Sequence, residues 1–83
     1  MSTVRVMDHE MWDEVTLPFD ADQSVRDLKA SALRAARVEA DPAAFEVKYR
    51  GARVLDESAR LQDAGIPAGA ALIVLRTRRR AVR

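Results

Sequence analysis

Eighty-three residues allow one domain, and the lack of cysteine excludes a disulfide staple, a thiolate nucleophile and a cysteine metal site. Apolar content of 48%, with 14 basic against 13 acidic residues and a formal charge of +1, fits a globular chain and argues against wholesale disorder. The longest apolar run, residues 68–75 interrupted by Gly69, is too short to span a bilayer, and the opening MSTVRVMDHE lacks a basic segment followed by an apolar stretch. A cytoplasmic protein without membrane insertion is therefore expected.

The first periodic segment, residues 3–8, puts Val4 and Val6 on one side and Thr3 and Arg5 on the other, which predicts a strand. The stretch 8–13 reads as a turn carrying Met11 and Trp12. Alternation resumes with Val15, Leu17 and Phe19, so the two strands form a hairpin, and Pro18 makes the second one a sheet edge. Ser24 is a candidate N-cap with Asp27 three residues on. Val25, Leu28, Ala32, Ala35 and Ala36 then recur at helical spacing, with Asp41-Pro42 as the expected stop.

Phe45, Val47 and Tyr49 share one face of a third strand, with Glu46, Lys48 and Arg50 on the other. Arg50-Gly51 is a turn, residues 54–55 a stub of strand, and 56–64 hold a helical turn with Leu61 inward. The last strand covers about 70–76. The order is β-β-α-β-β in one α+β domain, with no repeat and no linker. The expected core is Val4, Val6, Val15, Leu17, Phe19, Val25, Leu28, Val47, Leu55, Leu61, Ile66, Ile73 and Leu75. Residues 77–83 read as a flexible basic tail after a domain of residues 1–76.

Catalytic chemistry finds no constellation in the sequence. His9 is the single histidine and sits in an acidic loop, while Ser2, Ser24, Ser31 and Ser58 have no base within a recognisable motif. Neither an enzyme nor a metal or cofactor site is expected.

The stretch Tyr49-Arg50-Gly51-Ala52-Arg53-Val54-Leu55, then Leu61-Gln62-Asp63-Ala64-Gly65-Ile66, then Ile73-Val74-Leu75-Arg76-Thr77-Arg78 resembles ubiquitin and its relatives. The Leu-x-Asp-x-Gly-Ile-x-x-Gly link is also similar to small bacterial ubiquitin-like proteins of the YukD/EsaB type, associated with type VII secretion. The resemblance covers almost the whole chain and implies a β-grasp fold, a mixed sheet packed on one helix. Conjugated relatives end in Gly-Gly, whereas Arg79-Arg80 stand at those positions here and the last glycine is Gly69. That implies a protein-binding or adaptor module. The alternatives are a modifier handled by a divergent bacterial activating system, or an accessory of a type VII-like secretion system.

By position, the resemblance puts Lys48 at the centre of the family's recognition face, with Leu72 and Val74 on the outward positions of the last strand. Met11 and Trp12 fall on the loop that extends this face, where Trp12 either serves an interface or folds back onto the strand ends. Arg76, Arg78, Arg79, Arg80 and Arg83 either grip phosphate or an acidic protein surface or form a solvated terminus. With no aromatic interleaving there, other proteins are the expected partners of a monomer, and nucleic acid is not. Lys29 matches a lysine that ubiquitin keeps in a partly buried salt bridge, with Asp56 or Glu57 as its acid. Five arginines from residue 76 onward leave residues 1–75 at −4, so the near-neutral total conceals an acidic body with a basic end.

Overall fold

The computed structural model describes residues 2–8, 13–39 and 41–77. Strands β1 (Thr3–Asp8) and β2 (Asp13–Pro18) pair antiparallel, with Val4 opposite Leu17 and Val6 opposite Val15. Helix α1 (Val25–Ala35) follows. A short 3-10 turn (Pro42–Ala44) leads into β3 (Phe45–Tyr49), β4 (Ala52–Arg53) and β5 (Ala71–Arg76). The five-stranded sheet has the order β2-β1-β5-β3-β4, and β1 and β5 form its one parallel pair. Helix α1 covers one face of this sheet, burying Val25, Leu28, Ala32 and Leu33 against Val4, Val6, Phe45, Val47, Leu72 and Val74.

Both ends of α1 are closed by local chemistry. Ser24 stands in extended conformation and its hydroxyl accepts the Asp27 N–H, as the sequence predicts. The first-turn N–H groups of Val25 and Arg26 donate to the carbonyls of Ala59 and Glu57, so the 57–62 segment caps the helix. The helix stops well before Asp41-Pro42. Arg37 takes φ of +61°, its N–H donates to the Arg34 carbonyl, and the Val38 N–H donates to that of Leu33. This is a Schellman ending with arginine where glycine is usual, which is why no breaker marks it in the sequence.

The β3–β4 hairpin turns on Arg50 (φ +56°) and Gly51 (φ +83°) with Tyr49 opposite Ala52, a two-residue turn of the mirror-image type. The long link from β4 to β5 satisfies its backbone by running beside residues 21–26, with the Leu61 N–H on the Gln23 carbonyl and the Gln62 N–H on that of Ala21. The Ala64 N–H bonds to Arg60 and that of Ile66 to Leu61, so the expected helical turn is a hydrogen-bonded turn seating buried Leu61 and Ile66.

The expected core needs correcting in two places. Leu55 is 85% exposed, because the β4 ladder falls on 52–53 and the inward position passes to half-buried Val54, whose N–H bonds to the Val47 carbonyl. In β5 the inward residues are Leu72 and Val74, while Ile73 points out and is 41% exposed, and Leu75 is half-buried. The run 70–75 is apolar throughout, so alternation alone cannot fix its phase. Pairing does: Leu72 lies opposite Val6 and Val74 opposite both Asp8 and Val47, all inward positions. Phe45, Leu33, Ala32, Ala36 and Ala70 complete the core.

Candidate functional site: the open sheet face

Helix α1 covers one sheet face, and the other carries the alternate residues of every strand. Register places Ile73 of β5 directly between Met7 of β1 and Lys48 of β3. Ala71 and Leu75 lie on the same side of β5, beside Arg5 and Glu46 respectively. Met7 and Leu75 are half-buried. The result is an aliphatic strip of Met7, Ile73 and Leu75 along the two central strands. Arg5 and Glu14 flank it on one side, and Lys48, Glu46 and Arg53 on the other. Arg53 Nε stands 3.7 Å from Glu46 Oε1, which leaves Lys48 as the cation directly beside Ile73.

This geometry revises the sequence-derived site. Lys48 is on the open face, as expected. Leu72 and Val74 are not: both are buried under α1, and their place outside is taken by Ile73 and Leu75. Arg76 shares the inward phase, and its guanidinium lies 4.8 Å from the centroid of the Phe45 ring, a cation–π contact on the helix side of the sheet. Met11, Trp12, Arg78, Arg79, Arg80 and Arg83 lie outside the described residues. Met7 joins the site without having been singled out in the sequence. Its neighbourhood became apparent only through the Gly69 N–H to Thr3 and Arg5 N–H to Ala70 bonds that set β5 beside β1.

On the opposite side of the molecule, Lys29 is 3% exposed and its ammonium donates to Glu57 Oε1 (2.5 Å) and to the Phe45 carbonyl (2.8 Å). Of the two candidate acids, Glu57 is the partner. Asp56 instead accepts from the Ser58 hydroxyl and N–H; the hydroxyl contact is the main cause that holds its carboxyl below the usual range. The ion pair ties helix, strand and link together, and it faces away from the aliphatic strip.

No family model matches the chain, and no curated protein matches it. Among solved structures it is similar to a computationally designed protein based on the template of human erythrocytic ubiquitin, determined by NMR in solution. The TM-score is 0.77 at 20% identity, with 100% of each chain covered. The fold is a ubiquitin-like β-grasp. Within this β-grasp the aliphatic strip occupies the open sheet face and the Lys29–Glu57 pair the covered side. No group of three or more His, Asp or Glu residues among those described is placed to hold a metal, and no described helix is long and apolar enough to cross a membrane.

Proposed function

We propose that this ubiquitin-like domain is a non-catalytic protein-binding module that engages its partner through the open sheet face. The observation that carries the reading is the outward placement of Ile73 between Met7 and Lys48, on a face that no element of the described chain covers. An apolar strip bordered by charges suits a partner with a small apolar anchor and an acidic group set to meet Lys48. The aliphatic residues supply desolvation, and the charges supply orientation and selectivity.

The test uses a photo-crosslinking amino acid placed at position 73 and, as a control, at position 34 on the exposed side of α1. In the native host, position 73 should give discrete adducts that position 34 does not, and Lys48→Glu should suppress them. Equal labelling from both positions, or adducts unaffected by Leu75→Ser with Lys48→Glu, would reject this face as the binding surface.

A further inference from the structure

Among the described residues the large apolar side chain most open to water is Leu55, at 85% exposure against 41% for Ile73. It stands where the chain leaves β4, and two grooves flank it. One, of about 650 Å³, lies toward α1 and the 3-10 turn, with apolar walls of Ala30, Pro42 and Ala43. The other, of about 420 Å³, lies between the β3–β4 hairpin and the link, with apolar walls of Tyr49, Val54, Ala59 and Ala64. Arg53, Leu55 and Asp56 line both grooves, so this short segment is the ridge that divides them. A single exposed leucine is ordinary. A leucine raised beside an apolar hollow is a knob next to a hole.

The ridge carries opposite charges on either side of the knob. Arg53 precedes Leu55, and its side chain keeps 51% exposure beside Glu46. Asp56 follows Leu55, and its exposed carboxylate is held in place by the Ser58 N–H and hydroxyl. A ridge that reads cation, leucine, anion is complementary to itself. Turned about a two-fold axis, it sets Arg53 of each copy against Asp56 of the other, and each leucine over the other copy's hollow. The formal charge of +1 puts little net repulsion between two copies.

We propose that this ridge is the contact of a weak homodimer, in which Leu55 of each protomer seats in the hollow formed by Tyr49, Val54 and Ala64 of the other. A foreign partner would have to present the same groups in reverse order, whereas a second copy presents them by symmetry. That complementarity decides the occupant. The patch is small, below the roughly 1,200 Å² at which standard specific interfaces begin, so the association is weak and reversible. The dimer departs from the monomer expected from the sequence. It leaves the aliphatic strip around Ile73 open, so each proposal can fail alone.

The test is sedimentation equilibrium of the full chain from about 10 μM to about 1 mM, with amide spectra over the same range. The average mass should rise toward that of a dimer, with concentration-dependent shifts centred on residues 53–56. Leu55→Ser should raise the dissociation constant about tenfold or more, while its dilute amide spectrum overlays the parent's because Leu55 packs on nothing it must bury. Charge exchange tests the two-fold arrangement. Arg53→Glu and Asp56→Arg should each weaken self-association about tenfold, and the two variants mixed should pair as tightly as the parent. A protein that stays monomeric at the highest concentration would overturn the proposal. So would association that survives Leu55→Ser, association lost instead with Ile73→Thr, or a mixture of the charge variants that pairs no better than either alone.

Discussion

Replacing Lys29 by methionine isolates the buried ion pair, because methionine approximates the lysine stem while removing both donated bonds. Those bonds reach Glu57 and the Phe45 carbonyl, and so join α1, β3 and the 57–62 link. Phe45 is 2% exposed, so its carbonyl loses a partner in a place water does not reach, at a cost of about 1–3 kcal/mol. The Glu57 side chain keeps 17% exposure and recovers part of its hydration. Its loss therefore falls below the roughly 3–5 kcal/mol typical of a fully buried charge stripped of its partner. The sum for Lys29→Met is about 2–4 kcal/mol, against a total of about 4–12 kcal/mol for a chain of this length.

Glu57→Gln retains an acceptor for the ammonium and should cost less, about 1–2 kcal/mol. The pair Lys29→Met with Glu57→Leu removes both charges and should be less destabilised than the sum of the single changes by about 1–2 kcal/mol. The assay is urea denaturation at constant m-value, with thermal melts as a cross-check; the expected fall in Tm for Lys29→Met exceeds about 10 °C. A Lys29→Met protein within about 0.5 kcal/mol of the parent would refute the assignment of a stabilising role to this pair. So would a double variant worse than additive.

Alternation in β5 predicts opposite outcomes for neighbouring residues: Leu72→Ala should cost about 2–4 kcal/mol and Ile73→Ala under about 1 kcal/mol by chemical denaturation, and reversed values would restore the sequence-derived phase. Arg37→Gly should stabilise the domain by about 0.5–1 kcal/mol, because the left-handed residue then carries no Cβ, and a calorimetric Tm that falls would contradict the Schellman reading. Asp56 has its carboxyl lowered chiefly by the Ser58 hydroxyl, so its contribution is present above the unfolded carboxylate range and lost as pH falls through the folded value. Ser58→Ala should accordingly raise the Asp56 midpoint in a carboxyl NMR titration, and the stability difference between parent and variant should vanish in acid. An unmoved midpoint would disprove that attribution.

Most of the architecture was legible because polar residues mark the phase of β1, β2 and β3, and Ser24 marks the start of α1. The open face was legible only in part. Lys48 follows from the alternation of Phe45, Val47 and Tyr49, which polar neighbours punctuate. Ile73 does not follow, since no polar residue interrupts 70–75 and the choice between two phases rests on pairing with β1 and β3. The end of α1 was hidden for a related reason: Arg37 occupies a backbone conformation that its side chain does nothing to announce. Leu55 shows the converse, an aliphatic residue assigned inward on hydrophobicity when the ladder stops short of it.

The parallel pairing of β1 with β5 joins the earliest and latest strands at the middle of the sheet. Arg5 cannot meet Ala71, nor Val6 meet Leu72, until the intervening chain has been threaded around α1 and through the irregular link. Contacts of such long sequence separation must repay their loop-closure entropy before they reward folding, which slows folding relative to a chain closed by local contacts. During synthesis the apolar sides of β1, β2 and α1 cannot be covered by β5 until residues 71–76 have emerged. In that interval Val4, Val6 and Leu28 are the surfaces a chaperone would hold, and a chain interrupted before residue 71 has no central strand with which to close its sheet.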